Sequence, residues 1–360
     1  MEFIMFFNKE KNKSKPNNIQ QDINHQITFI DYLVDFQTRL SPNELNFLIA
    51  NTNVHEIISV DSYPQTYLML ALKNSMFYYG EFSENYESKL LSNHWTTLIQ
   101  NTNLEYQDEK GFNSLMYAFQ ETSSNHLKLD SEQWNDLIHH SDLHQINENQ
   151  SNSFMIALQN QSPLSEEQWD YLIKNSDLKQ KDKNGMNSLM YALAYSKNEN
   201  IILNERQWDY IIKNSDLNIQ NNIGWNTLMY VMNHSHPSIF NKNQLELILQ
   251  KTNLKQIQQE KYLHHLLEFI LDNKLDITTN MLDTIVQNIQ SLTLQDKKII
   301  NTDFQYFVSE IMRTKSDLIS SESKKIIVSL SILSHPTSIA ELRKNLTTNS
   351  DNTDSVFLMK

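Results

Sequence analysis

The amino-acid sequence predicts an all-α fold: a solenoid of about seven stacked helical pairs joined by short finger loops and closed by a C-terminal helical cap. Three observations predict it. A tryptophan motif recurs at near-constant spacing, a glycine-led motif recurs between its copies, and a helix-start signal precedes most of the tryptophan motifs.

The tryptophan motif reads Gln133-Trp134-Asn135-Asp136-Leu137-Ile138. It returns as Gln168-Trp169-Asp170-Tyr171-Leu172-Ile173 and Gln207-Trp208-Asp209-Tyr210-Ile211-Ile212, with His94-Trp95-Thr96-Thr97-Leu98-Ile99 as an earlier relative. Successive tryptophans lie 39, 35 and 39 residues apart, within the period of stacked helical repeats. Leu45, Leu245 and Leu282 extend the series at both ends.

Each unit predicts two helices. The first follows Gly111-Phe112-Asn113-Ser114-Leu115-Met116-Tyr117-Ala118-Phe119, a motif repeated at Gly185-Met186-Asn187-Ser188 and Gly224-Trp225-Asn226-Thr227 and more weakly at Gln150-Ser151-Asn152-Ser153. Three of the chain's four glycines share this position, which predicts a positive φ at a tight turn before the helix. The Asn-Ser/Thr pair caps the helix start, and Leu, Met and Ala form its apolar face. The second helix opens with capping-box spacing at Ser41/Glu44, Asp130/Gln133, Ser165/Gln168, Asn204/Gln207 and Asn241/Gln244. Its Trp and following Leu/Ile pair make an inward stripe. It ends at Asn-Ser-Asp-Leu, where Asn is expected in the left-handed conformation.

These motifs carry a family resemblance. Gly-x-Asn-Ser-Leu-Met-Tyr-Ala-Leu resembles the Gly-x-Thr-Pro-Leu-His-x-Ala-Ala of ankyrin repeats, and Trp-Asp-Tyr-Leu-Ile-Lys-Asn-Ser-Asp-Leu-Asn resembles the end of their second helix running into the finger. The match covers residues 40–255 well, and 19–40 and 255–290 by spacing. Ser or Thr replaces the family's proline, Met its histidine, and Ser its glycine after the second helix, with one residue fewer. The resemblance implies divergent ankyrin-like units that bind a partner protein on a concave face; a generic helical-pair solenoid is the alternative.

In chain order, residues 1–18 read as a flexible arm, 19–290 as the repeat array, 291–346 as a helical cap over the last apolar face, and 347–360 as a loose tail. Composition narrows the function. No cysteine means no disulfide or thiolate site, and four glycines in 360 residues leave no phosphate-cradling loop. A net charge of −13 opposes nucleic-acid binding and favours a basic protein partner. No apolar run approaches the roughly 20 residues that span a bilayer, so a cytoplasmic protein without membrane insertion is expected.

No cofactor, metal or catalytic residue is expected. His139-His140, His234-x-His236 and His264-His265 lack metal-site spacing. Carboxylate pairs such as Glu166-Glu167 read as helix caps, and Ser176-x-x-Lys179 and Ser321-x-x-Lys324 lack partner motifs.

The candidate binding strip instead takes the position after the turn glycine, held by Phe112, Ser151, Met186 and Trp225. Flanking finger residues Glu109, Lys110, Asn149, Lys183, Asn184, Asn222 and Ile223 complete it. Large apolar residues where a repeat does not require them are typical interface anchors; the alternative is that these side chains tuck against the next unit. Asparagine, one residue in about eight, resembles the codon bias of an AT-rich genome. For a bacterial source, the expected roles are an effector translocated into a host cell or a partner that neutralises a toxin. An enzyme with a catalytic C-terminal segment is the competing class.

Overall fold

The computed structural model describes residues 28–35, 40–60, 62–74, 90–122, 127–195, 203–233, 239–292 and 306–307. The expected arm and tail, and nearly all of the expected cap, lie outside these residues. The elements run α1 (Phe29–Val34), α2 (Pro42–Ala50), β1 (Ile57–Val60), β2 (Tyr63–Thr66), α3 (Tyr67–Asn74), α4 (Ser92–Asn101), α5 (Ser114–Thr122) and α6 (Ser131–His140). They continue with α7 (Ser153–Gln159), α8 (Glu166–Asn175), α9 (Ser188–Tyr195), α10 (Glu205–Asn214), α11 (Thr227–Asn233), α12 (Lys242–Lys251), α13 (Glu260–Asp272) and α14 (Thr279–Ser291). The described chain is mostly helical, as expected, with one small antiparallel ribbon.

The helices form two rows. Odd-numbered helices pack on one another in order from α1 to α13, and even-numbered ones do so from α4 to α12. The alternation in sequence thus becomes two layers in space, sharing one continuous apolar core from Phe29 to Phe307. The interior first-row helices are buried almost all round; the first six residues of α5, Ser114 to Phe119, are all buried, whereas the end helices α1 and α13 keep exposed residues such as Asp31 and Glu268. Second-row helices bury one stripe, Trp134, Leu137 and Ile138 in α6 and their equivalents, as their amphipathic spacing requires. Trp95, Trp134, Trp169 and Trp208 are 2–4% exposed, and Leu45, Leu245 and Leu282 take the same position.

The helix starts form as the sequence predicts. Asn113, Asn152, Asn187 and Asn226 Oδ1 each accept the backbone N–H three residues on. All five capping boxes close. The glutamine of the box does a second job that the spacing did not reveal. Gln168 Oε1 accepts Ser165 N–H at 2.9 Å, while its Nε2 donates across the row to Ser131 O at 3.0 Å and Asn135 Oδ1 at 2.9 Å. Gln133, Gln207 and Gln244 repeat this clamp on the helix before them. His94 substitutes for it, accepting Leu91 N–H on Nδ1 and bonding Asn46 Oδ1 through Nε2.

Two expectations need correction. The asparagines ending the second helix are not left-handed. Asn175 and Asn214 stay helical and donate Nδ2 to the carbonyls of Tyr171 and Tyr210, and the chain leaves through extended Ser176 and Ser215. A side chain that reaches back to an orphan carbonyl removes the need for a positive φ. The second correction concerns the first finger, which is a β-hairpin pairing Ile57 with Thr66 and Val60 with Tyr63. Its alternating exposed and buried residues are a strand pattern. Later fingers carry only the single bridges Ile146–Asn152 and Lys181–Asn187 among the described residues.

Candidate functional site

The fingers connect each second-row helix to the next first-row helix. Sixteen residues, 51–66, make the first connection; twelve make each of the next four, 102–113, 141–152, 176–187 and 215–226; eight, 252–259, make the last.

Each twelve-residue finger is built on one aspartate or asparagine: Asp108, Asn147, Asp182 or Asn221. Its Oδ1 accepts the backbone N–H groups two and four residues ahead, Asn184 and Met186 for Asp182 and likewise in the other three. Its own N–H donates to the carbonyl four residues ahead, and the N–H three ahead donates back to it. The closed turn forces a positive φ at the third residue: +73° at Gly111, +61° at Gln150, +77° at Gly185 and +82° at Gly224. The predicted glycine turn is therefore present, with Gln150 carrying the conformation that glycine holds at least cost.

In the Asp108, Asp182 and Asn221 fingers the remaining carboxylate or amide atom faces inward onto a first-row tyrosine. Tyr117 donates its hydroxyl to Asp108 Oδ2, and Tyr191 donates to Asp182 Oδ2 at 2.9 Å. In the Asn221 finger the polarity reverses, and Asn221 Nδ2 donates to the Tyr230 hydroxyl at 2.9 Å. Burial, with the adjacent aspartate, pushes the Tyr117 and Tyr191 phenols well up. Asp108 also faces Lys73, whose Nζ lies 3.7 Å from Oδ2 and 4.1 Å above the Tyr117 ring. Asp182, 4% exposed, is held by four donors: Asn184 N–H, Met186 N–H, Asn184 Nδ2 and the Tyr191 hydroxyl.

Adjacent fingers are joined tip to tip. Glu148 N–H donates to Lys110 O, Lys183 N–H to Asn149 O, and Asn222 N–H to Asn184 O, the last two at 2.8 Å. Asn222 Nδ2 adds a bond to Lys183 O. This fixes the spacing of the exposed tip side chains Glu109, Lys110, Asn149, Lys183, Asn184, Asn222 and Ile223. They form the rim of the predicted strip and carry both signs of charge.

Its expected apolar anchors lie deeper than a free surface patch. Phe112, Met186 and Trp225 are half-buried against the core. The Phe112 ring centroid lies 5.0 Å from that of Tyr117. Trp225 packs edge-on against Tyr230 and Tyr262 and donates Nε1–H to the Tyr262 hydroxyl at 2.6 Å. Ser151 does not belong to the strip surface: it is 5% exposed and turned toward Tyr191. A small hydroxyl at this position fits under the next finger where a larger side chain stays partly outside.

Sequence reasoning missed the finger-forming Asp108, Asn147, Asp182 and Asn221, although each stands three residues before the glycine position and, in three units, nine before a tyrosine. The described histidines of the adjacent pairs make local contacts. His139 lies against the Tyr171 ring, centroids 4.1 Å apart, His140 Nδ1 bonds Asp136 O, and His264 pairs with Glu268 at 3.5 Å. His234 and His236 fall outside the described residues. Among the described residues, no three His, Asp or Glu side chains converge as metal ligands, and no helix is long and apolar enough to cross a membrane.

No family model matches the chain, and no curated protein matches it significantly.

Proposed function

We propose that the chain is a protein-binding array of ankyrin-like repeats that engages its partner through the finger face, with the tip side chains as the contact rim and Phe112, Met186 and Trp225 as its floor. One observation carries this reading: within the chain, the residues that build each finger repeat, whereas the residues at its tip change. The Asx, the positive-φ residue and the capping Asn recur in all four twelve-residue fingers. The two residues before the positive-φ position read Glu109-Lys110, Glu148-Asn149, Lys183-Asn184 and Asn222-Ile223, and all are exposed. A uniform rigid frame presenting varied side chains in a row is how repeat surfaces recognise extended partners. With both signs present on this rim, the net charge of −13 contributes to long-range steering of a basic partner more than to the contact itself.

The test is affinity capture by the full chain and by a Phe112→Ala/Met186→Ala/Trp225→Ala variant with an unchanged helical circular-dichroism spectrum. Specific partners of the full chain should be lost from the variant. Equal capture by both would remove the finger face from consideration.

A further inference from the structure

We infer that the last twelve-residue finger, 215–226, ends in an open backbone edge that accepts a finger-like loop of a partner protein: an extended three-residue segment with Asn or Asp at its centre and a free N–H on the residue after it. The inference rests on the finger-face reading and gives the partner a backbone chemistry. The occupant is specified by what covers the same surface inside the array. A methyl group built on Gly111 would meet Ile146 O at 2.8 Å and Asn147 Cα at 3.0 Å; one built on Gly185 would meet Asn221 Cα at 3.0 Å and Gln220 O at 3.2 Å. At Gly224 it would meet nothing within 4 Å among the described residues.

The hydrogen bonds stop at the same place. Lys110, Asn149 and Asn184 carbonyls each accept an N–H from the following finger; the equivalent carbonyl, that of Ile223, accepts none among the described residues. Gln107 shows what a side chain adds, since its Nε2 bridges its own Gly111 O at 2.6 Å and the next finger's Ile146 O at 3.1 Å. Among the described residues Gln220 makes only the first of these bonds, to Gly224 O at 2.8 Å. Ile223, 70% exposed, stands beside this edge.

A slim loop suits the site and a second copy of the array does not. The helical rows continue past the last twelve-residue finger, α11 packing on α13 and Asn226 Nδ2 reaching Gln256 Oε1, while the next connection shrinks to eight residues. Among the described residues the finger layer alone is interrupted, so the open register is one loop wide. Pairing of this kind takes its affinity from main-chain hydrogen bonds and its selectivity from flanking side chains.

The experiment titrates a cyclic peptide carrying residues 144–152 of this chain into the isotopically labelled full-length protein, followed by NMR. The Ile223 and Gly224 amides and the Trp225 indole should shift saturably, while the indoles of Trp95, Trp134, Trp169 and Trp208 stay in place. Methylating the peptide nitrogen of Glu148 should weaken binding about tenfold, as loss of one main-chain bond implies, and Gln220→Ala should weaken it severalfold. Absence of binding at millimolar peptide, or binding indifferent to the N-methyl group, overturns the inference. Nuclear Overhauser contacts from Ile223 to residues 293–360, or a peptide-sensitive dimer in sedimentation, overturns it in favour of the chain's own segment or a second copy. Failed peptide binding with partner capture still dependent on Phe112, Met186 and Trp225 removes only the open edge; failure of both removes the finger face.

Discussion

Replacing Gln168 by glutamate separates the two jobs of this side chain. The variant keeps a carboxylate oxygen for Ser165 N–H but loses the donors to Ser131 O and Asn135 Oδ1, at 3.0 and 2.9 Å. Two lost hydrogen bonds cost about 1 kcal/mol each. Setting a carboxylate against two acceptor oxygens at a site 4% exposed adds about 1–3 kcal/mol of uncompensated desolvation. The expected loss at neutral pH is therefore about 3–5 kcal/mol, read from urea unfolding followed by circular dichroism. A carboxyl so placed has a folded-state pKa above its unfolded value near 4.3. The carboxylate part of this deficit is full above the folded value and is lost as pH falls toward the unfolded one, while the loss of one of the two donor bonds persists, because a protonated carboxyl has a single O–H. The converse change at the array's first box, Glu44→Gln, should leave the unfolding midpoint unchanged, because Glu44 is exposed and has only the cap to make. A Gln168→Glu deficit under 1 kcal/mol, or one flat with pH, would refute the inter-unit clamp as a source of stability.

His94 supplies a pH-dependent contact. Burial holds its pKa below the ordinary value, and its Nδ1 accepts Leu91 N–H only when the ring is neutral. Stability from this group is full above the unfolded value of about 6.5 and declines as pH falls through it. Thermal melts should show His94→Gln, which installs the residue of four other units, with a smaller loss on acidification than the parent. The turn glycines should differ from one another. Gly224→Ala meets only the strain of a φ of +82° and should cost about 1 kcal/mol, whereas Gly185→Ala adds a 3.0 Å approach to Asn221 Cα and should cost more than twice that. Equal losses in the two melts would mean that finger packing over Gly185 is loose.

Much of the fold is readable from the chain because local signals and packing agree. The tryptophan period, the capping boxes and the glycine turn each reflect one physical demand, and each appears where that demand recurs. The unread parts involve residues serving two demands at once. Gln168 satisfies a cap, so nothing in its spacing reveals a bond to a helix 37 residues back. Asp182 stands in polar finger text and reads as surface, yet closes a turn and is 4% exposed. Asn175 has the right residue type for a left-handed cap, but its amide satisfies the carbonyl instead. At the position after the glycine, the sequence left open whether the side chain stands out or tucks against the next unit, and Trp225 does the latter, bonding Tyr262.

The direction of the clamp bears on how such a chain can change length. Gln207 reaches back to Glu166 O and Asp170 Oδ1, and Gln168 reaches back to Ser131 O and Asn135 Oδ1. Excising the unit between them would set Gln207 over the same pair of oxygens, one main-chain and one side-chain. The finger register would close as well, since every interior connection has twelve residues. Interior units thus match in clamp and in finger length at both seams, so in-frame recombination between their coding segments would keep both registers. The sixteen-residue and eight-residue connections at the two ends have no such equivalent, so exchange in register is confined to the interior units.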